Sequence, residues 1–194
     1  MNTPVRPASA PGPVIDPTAI ADFAEVVFGY LEGLVPIRLF AETGTPDQKP
    51  RIEFCTPELL ADTLVRLAPS AAAHQRGLYV VPGTVTRKGS ARAEDILQTG
   101  VLLVDIDAGD IGRIRDHLAA HLGAPSLEIA SGGRTAAGEP KRHLYWRLTE
   151  AAKGGDLGRV RALRRIVAGK AETDASFGSL HQPIRVPGSL HGKH

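Results

Sequence analysis

Two carboxylates, Asp105 and Asp107, follow the most apolar run of the chain, Val101–Val104. Side chains alternate along a strand, so we expect both carboxylates on one face, about 6.6 Å apart along the chain. Adjacent carboxylates repel each other and resist burial unless a cation neutralises them, and oxygen ligands suit Mg²⁺ or Mn²⁺. The pair indicates a divalent-cation site, while an ordinary acidic cap on the following helix is the alternative. Asp174 is a candidate third ligand or, taken alone, a turn residue.

A second group of residues could bind an anion. Ser131-Gly132-Gly133-Arg134 follows a predicted strand, and its glycines let backbone N–H groups approach a phosphate while Ser and Arg donate from their side chains. The same stretch could be only a flexible turn. The turn-rich segment near the C-terminus interleaves four further donors with Pro-Gly, and these could converge on one anion. They are Arg185, Ser189, His191 and Lys193.

A third group follows a predicted strand and the helix after it. Alternation places Leu144, Trp146 and Leu148 on a buried face, and His143, Tyr145 and Arg147 on the opposite one. That opposite face suits a triphosphate, a sugar or a nucleic-acid strand, with packing of Tyr145 at a sheet rim as the alternative. The next helix carries arginines that we expect mostly off its apolar stripe, where they could follow a template backbone. They include Arg161, Arg164 and Arg165.

Helices and strands alternate around these residues without a regular parallel pattern, which predicts an α+β fold. We predict helices over about 17–32, from Thr56-Pro57 onward, over 111–122 and along 157–167. We predict strands at Val35–Glu42, at Leu78–Val85 with a break at Pro82-Gly83, at Val101–Val104, at Leu127–Ala130, at His143–Leu148 and at Ile184–Val186. Ser131–Pro140 is expected to be a glycine-rich loop, and residues 1–14, with four prolines, a disordered leader.

Composition excludes several classes of protein. The single cysteine among 194 residues excludes a disulfide framework and a four-cysteine zinc site. No apolar run is long enough to span a membrane and no signal peptide is recognisable, so we expect a cytoplasmic protein without a membrane partner. The formal net charge of +2 divides into −5 over residues 1–133 and +7 over 134–194. This division fits cations on one side and polyphosphate on the other, or chance segregation of surface charge.

The order of these motifs resembles the archaeo-eukaryotic primase superfamily, in particular the primase-polymerase domains of plasmid, phage and integrative-element replication proteins. The resemblance covers about residues 78–194. It is carried by Asp105-x-Asp107, Ser131-Gly-x-Arg134, His143-x-Tyr-Trp146, Asp174 and Arg185-x-Pro-Gly-Ser189-Leu-His191-Gly-Lys193. It implies a two-lobed fold, with a smaller N-terminal α/β lobe at 15–77 and an RRM-like catalytic part at 78–194. Together these would form one catalytic domain, 15–194, which we expect to be excised from a longer protein.

The resemblance implies a DNA primase-polymerase that transfers a nucleotide from an NTP or dNTP to a 3′-hydroxyl on single-stranded DNA, for replication of a mobile element. Asp105, Asp107 and Asp174 would hold two Mg²⁺ or Mn²⁺ ions, and no zinc is expected. The residues implied in nucleotide binding are Ser131, Gly132, Arg134, His143, Arg185, Ser189, His191 and Lys193. The candidates for nucleic-acid contact are Tyr145, Arg147, Arg161, Arg164 and Arg165. A helicase or a C-terminal helical domain is an expected partner.

Two other functions stay open on the sequence. One is a catalytically silent, RRM-like domain that binds single-stranded nucleic acid, although three aspartates would weaken DNA binding unless metals occupied them. The other is a metal-dependent phosphohydrolase of the haloacid-dehalogenase type, which also uses a strand followed by Asp-x-Asp. In that class Gly-Thr or Gly-Val usually follows, whereas this chain has Ala108-Gly109.

Overall fold

Four helices and eight strands make up the part of the chain that the structure, a computed structural model, describes: residues 14–42, 49–172 and 178–190. The helices are α1 (Pro17–Phe28), α2 (Leu60–Ala73), α3 (Ile111–Leu122) and α4 (Gly155–Lys170). The strands are β1 (Val35–Ala41), β2 (Arg51–Cys55), β3 (Arg76–Val80), β4 (Thr84–Val85), β5 (Ile96–Ile106), β6 (Leu127–Arg134), β7 (Pro140–Lys153) and β8 (Ile184–Arg185). Short 3₁₀ turns lie at Pro57–Leu59 and Ala93–Asp95.

Local capping determines where two of the helices begin. The Asp16 side chain accepts a hydrogen bond from the Ala19 amide at the start of α1, and Asp110 does the same for the Arg113 amide at the start of α3. Helix α3 ends before Gly123, whose φ of 81° favours glycine. The predicted helix over 111–122 is therefore confirmed, whereas α1 ends at Phe28, before the predicted residue 32.

The strands form two four-stranded sheets in which all neighbours are antiparallel. Sheet I has the order β2-β1-β3-β8 and sheet II the order β4-β5-β7-β6. In sheet II, the succession β5-α3-β6-β7-α4 is the β-α-β-β-α order of an RRM-like unit, with β5 and β7 at the centre. The mixed α+β class is confirmed.

Sheet II is buried on both faces. Leu102, Val104, Leu144 and Trp146 face a core shared with α3 and α4. The alternate residues Val101, Leu103 and Tyr145 belong to a larger core that includes α1, α2 and the inner face of sheet I. Strand alternation therefore separates two buried faces here, rather than a buried face from an exposed one.

The region between β6 and β7 differs from its prediction. Strand β6 continues through Gly132 and Gly133 to Arg134, with a shift of register after Ala130, and Gly132 has a φ of +84°. Such an irregularity is a β-bulge, which accommodates glycine without ending the strand. The predicted loop shrinks to residues 135–139. Strand β2 was not predicted at all.

The division into lobes at residue 77 stays a prediction, although β3 runs across that position and β8 pairs with β3. Sheet I therefore combines strands from both parts of the chain. The predicted leader lies outside the described residues, except for the exposed Val14. None of the helices in the described ranges has both the length and the apolar character that crossing a membrane requires.

Candidate active site

A cleft lies between the β6–β7 edge of sheet II and the C-terminal strand of sheet I. Its volume is about 220 Å³. Pockets that enclose a whole drug-sized ligand are larger, about 300–1,000 Å³, so this cleft fits one portion of a ligand. The lining residues, which define "the cleft" below, are Ile129, Ala130, Ser131, Gly132, His143, Arg185, Val186, Pro187, Gly188 and Ser189.

Five of the eight predicted nucleotide-binding residues line this cleft. They are Ser131, Gly132, His143, Arg185 and Ser189. Arg134 does not line it, because its Nη1 donates a 2.6 Å hydrogen bond to the Gly138 carbonyl within the β6–β7 hairpin. The remaining two, His191 and Lys193, lie outside the described residues. Residues of β6, β7 and the turn after β8 thus converge on one cleft.

The turn after β8 is fixed to the start of α1. The Asp16 amide donates a 2.9 Å hydrogen bond to the Gly188 carbonyl. Gly188 has a φ of +70°, and a Cβ there would lie 2.5 Å from the Asp16 carbonyl oxygen. Ser189 Oγ donates to the Val186 carbonyl at 2.6 Å and so closes the turn. Because only glycine fits this approach, the turn holds the cleft wall in one position.

Arg185 is the arginine of the cleft, and three interactions hold its guanidinium. Its Nη2 donates to Glu42 Oε1 at 2.9 Å and to the Tyr79 hydroxyl at 2.6 Å, and its guanidinium lies 4.8 Å from the Tyr79 ring centroid. Its Nη1 is buried and has no hydrogen-bond partner among the described residues. Buried guanidinium N–H groups normally find an acceptor, so this arrangement has donor capacity left for an anion. Sequence reasoning missed Glu42 and Tyr79, which carry no recognisable motif.

Asp105 and His143 face each other on the two central strands of sheet II. They are partners in the β5–β7 register, and His143 Nε2 lies 3.3 Å from Asp105 Oδ1. That contact lacks hydrogen-bond geometry, and the buried Oδ1 has no hydrogen-bond partner within the described ranges. The Tyr145 hydroxyl lies 3.4 Å from His143 Nδ1 on the other side of the ring. Burial first, and then the negative charge of Asp105, raises the pKa of Tyr145.

Asp107 follows the end of β5 and is partly exposed. Its Oδ2 lies 3.9 Å from Lys141 Nζ. It borders a second depression, together with Asp110 and Glu139. The Glu139 side chain accepts a hydrogen bond from the Ile111 amide and so caps α3.

The carboxylates fit a divalent cation in part. Asp105 offers a buried oxygen without a hydrogen-bond partner in the described structure, and Asp107 a second carboxylate two residues later. Oxygen donors of this kind are those that Mg²⁺ and Mn²⁺ take in proteins. No group of three or more His, Cys, Asp or Glu side chains in the described ranges could hold a metal. Asp174 lies outside those ranges, so its role as third ligand stays a prediction.

The structure contradicts two of the predicted nucleic-acid contacts. Tyr145 is fully buried and meets Phe23 edge to face, with ring centroids 5.9 Å apart. It is buried because α1 packs on the face of sheet II that we predicted to be open to ligands. Arg164 is also fully buried, since it lies on the inward face of α4 with Val160 and Val167.

Arg164 bonds inside the protein instead of to a ligand. Its Nη2 donates to Thr99 Oγ1 at 3.0 Å and to the Val101 carbonyl at 2.9 Å. Burial lowers the pKa of Arg164 to about 10, so the guanidinium stays protonated at neutral pH. The side chain therefore ties α4 to β5.

The other three predicted nucleic-acid contacts lie where a ligand could reach them. Arg161 and Arg165 are exposed on α4. Arg147 is exposed: its Nη1 pairs with Glu25 at 3.0 Å and its guanidinium lies 4.7 Å from the Tyr30 ring centroid. Contact of these three with nucleic acid stays a prediction.

Known proteins similar to this chain are found by comparing structures and not by comparing sequences. No family model matches the chain. No curated protein matches it either. The AEP domain of the cyanophage S-2L primase-polymerase is similar in structure, with a TM-score of 0.70 and 16% sequence identity, over 93% of this chain and 86% of that one.

Two structures of the primase RepB′ are also similar. The catalytic domain in complex with initiator DNA gives a TM-score of 0.61 at 15% identity, over 91% of this chain and 78% of that one. The other, longer RepB′ chain gives 0.60 at 15% identity, and the match covers 92% of this chain and 52% of that one. At such identities the likeness establishes the fold. The chain therefore has the fold of the cyanophage AEP domain and of the RepB′ catalytic domain.

Proposed function

We propose that this chain is a DNA primase-polymerase domain that transfers a nucleotide from an NTP or dNTP to a 3′-hydroxyl held on a single-stranded DNA template. One observation carries the proposal: residues of β6, β7 and the turn after β8, predicted separately as phosphate ligands, line one cleft beside Asp105. This convergence occurs on a fold that solved primases share.

The cleft residues would bind the triphosphate of the incoming nucleotide. Gly132, with its positive φ, would let backbone N–H groups of β6 approach the phosphates, and Ser131 would add a hydroxyl donor. Ser189 remains a proposed contact, although its hydroxyl already donates to the Val186 carbonyl within the turn. Arg185 contributes a fixed guanidinium, whose charge would offset that of the phosphates. His143 links this wall to the carboxylate of Asp105. Arg134, His191 and Lys193 remain proposed contacts of the same triphosphate.

Asp105 and Asp107, with Asp174 as the proposed third ligand, would hold Mg²⁺ or Mn²⁺ at this end of β5. Bound there, divalent cations would lower the pKa of the attacking hydroxyl and offset the charge of the leaving pyrophosphate. The protein's own contribution is to orient the carboxylates: β5 and β7 hold Asp105 opposite His143, in a partly buried position that strengthens its electrostatic interactions.

Single-stranded DNA is the proposed template. A RepB′ structure contains initiator DNA, and the corresponding ligand for this chain would be a template with a primer. The exposed arginines of α4, Arg161 and Arg165, together with Arg147, are the proposed backbone contacts. Replication of a mobile element, with a helicase or a helical domain as partner, is the setting that we propose.

The burial of sheet II argues against a catalytically silent RRM-like binder. An RRM stacks bases on exposed aromatic side chains of its central strands. The corresponding strands here are β5 and β7, and Tyr145 on β7 is buried under α1. No exposed aromatic platform is therefore offered by that face within the described structure.

The test is nucleotide incorporation by the 194-residue chain. Labelled NTPs or dNTPs are incubated with single-stranded DNA, primed and unprimed, in Mg²⁺ or Mn²⁺. We expect extended products on the primed template and loss of those products in Asp105→Ala. Absence of product on both templates, or full product formation by Asp105→Ala, contradicts the proposed function. Product on the primed template alone would show that this domain extends primers and that initiation requires further protein regions.

A further inference from the structure

We propose that Glu42 and Tyr79 are positioning residues that hold the Arg185 guanidinium at the wall of the cleft as a preformed phosphate contact. The inference rests on the proposed function, because a nucleoside triphosphate is the ligand proposed for this cleft. Neither residue belongs to the motifs that carry the resemblance to primases.

Three different interactions restrain Arg185. Glu42 accepts a charge-assisted hydrogen bond from Nη2, the Tyr79 hydroxyl accepts another from the same nitrogen, and the Tyr79 ring lies against the guanidinium. Both hydrogens of Nη2 are thereby used. A planar guanidinium bonded at one nitrogen and stacked on a ring has little rotational freedom left.

Burial makes the restraint strong. Glu42 is 7% exposed, so its ion pair with Arg185 is poorly screened by water. Burial is also the main cause that raises the pKa of the Tyr79 phenol, whose oxygen accepts the hydrogen bond from Arg185. The Nη1 of Arg185, buried and without a partner in the described part of the chain, leaves donor capacity that neither residue satisfies.

The sheet itself places the three residues together. Tyr79 and Arg185 are register partners on β3 and β8, and Glu42 directly follows β1, with its amide bonded to the Gln75 carbonyl. Gly77 of β3 leaves the room they need, since a Cβ there would lie 2.6 Å from both Glu42 Oε1 and Tyr79 Cε2. The cluster thus spans three adjacent strands of sheet I.

Two effects of Glu42 on phosphate binding oppose each other. As a positioning residue it removes the conformational freedom that Arg185 would otherwise lose on binding, which strengthens affinity. As a negative charge it offsets the attraction between Arg185 and an anion, which weakens affinity. The sign of the change in Glu42→Gln therefore distinguishes a positioning role from simple neutralisation.

The experiment measures equilibrium binding of tripolyphosphate, and of ATP and dATP with Mg²⁺, to the full chain by calorimetry. We expect affinity to fall about tenfold in Glu42→Gln and about threefold in Tyr79→Phe, which keeps the ring but loses the hydroxyl. In an Arg185→Gln background, Glu42→Gln should cause no further loss, because Glu42 acts through Arg185. Matched controls are Glu25→Gln, which breaks the ion pair with Arg147, and Tyr30→Phe, which removes a hydroxyl bonded to the Gly100 carbonyl.

The possible results distinguish failure of the positioning role from failure of the proposed triphosphate site. The inference is overturned if both Glu42→Gln and Tyr79→Phe bind triphosphate as tightly as the wild type or more tightly. It is also overturned if Glu42→Gln lowers affinity further in the Arg185→Gln background. In both cases, binding by the wild-type chain still supports the triphosphate site. No binding by the wild-type chain overturns the triphosphate site and the inference together. Thermal unfolding of every variant shows which variants are folded. If Glu42→Gln does not fold, the affinity of Tyr79→Phe alone decides whether these contacts position Arg185.

Discussion

Asp105, His143 and Tyr145 form a line of polar groups that runs from the proposed metal site into the core. Asp105 Oδ1 lies 3.3 Å from His143 Nε2, and the Tyr145 hydroxyl 3.4 Å from His143 Nδ1. The packing of Phe23 against Tyr145 fixes the inner end of the line. Tyr145, which was predicted to contact DNA, therefore lies in the core and contacts His143 of the cleft from its buried side.

The buried phenol of Tyr145 makes stability depend on alkaline pH. Its pKa is raised in the folded protein, whereas an unfolded tyrosine ionises near pH 10. The unfolded chain therefore releases this proton first, and the stabilisation is lost as pH rises above about 10. We expect the free energy of unfolding of the wild type to fall more steeply above pH 10 than that of Tyr145→Phe, which keeps the ring.

Urea denaturation at pH 8 to 11 measures both slopes. Tyr30 and Tyr79, whose pKa values burial also raises, are present in both proteins and cancel in the comparison. Each such group contributes at most about 1.4 kcal/mol per pH unit. Equal slopes for the two proteins would show that Tyr145 is not protected in the folded state.

At the level of elements, local sequence determines α3 and long-range pairing determines β6. Asp110 and Gly123 mark both ends of α3, so its bounds could be predicted. Gly132 and Gly133 weaken a strand locally, which is why they predict a loop. Pairing with β7 overrides that tendency and leaves a bulge, and no local pattern shows that a partner strand is present.

Helix α4 separates two roles for arginine. Arg164→Met should lower stability by about 2–3 kcal/mol, because it leaves Thr99 and the Val101 carbonyl without their buried donor. Arg161→Met and Arg165→Met should leave stability unchanged but weaken binding of single-stranded DNA, and each should reduce the salt slope by about one. Chemical denaturation and fluorescence anisotropy at several salt concentrations measure both quantities.

Two results of the same measurements would contradict these roles of Arg164, Arg161 and Arg165. If Arg164→Met weakens DNA binding at unchanged stability, Arg164 contacts DNA instead of joining α4 to β5. If neither exposed variant changes DNA affinity, the template does not follow the outer face of α4.

The turn after β8 depends on a glycine for two reasons, its positive φ and its close approach to α1. Gly188→Ala should destabilise the protein by about 2–3 kcal/mol and weaken tripolyphosphate binding, since a Cβ would meet the Asp16 carbonyl. Gly123→Ala is the matched control, because Gly123 also has a positive φ but open space around it. It should cost about 1–3 kcal/mol through backbone strain alone and leave tripolyphosphate binding unchanged. Equal effects of the two substitutions on tripolyphosphate binding would show that the contact of the turn with α1 is unimportant for the cleft.

For the whole molecule, the cleft exists because the two sheets share one core. The order of motifs predicts that Ser131, His143 and Arg185 act together, and the structure brings them to one cleft. Glu42 and Tyr79 could not be predicted, because both precede the first motif, Asp105-x-Asp107, and reach Arg185 only through the pairing of β1 with β3 and of β3 with β8. The burial of Tyr145 was missed for a related reason, since the helix that covers it lies far away in sequence.

Template-directed nucleotide transfer is the activity that we propose for this fold. The most direct measurement is single-nucleotide incorporation on four primed templates that differ only in the first templating base, with Mg²⁺ or Mn²⁺ present. We predict that the wild-type chain adds the complementary nucleotide on each template and that Asp105→Asn and Asp107→Asn lower the rate about a hundredfold or more. Asp110→Asn, which keeps the cap of α3, should retain the wild-type rate. Incorporation that ignores the templating base, or that persists in Asp105→Asn and Asp107→Asn, would contradict template-directed transfer at this site.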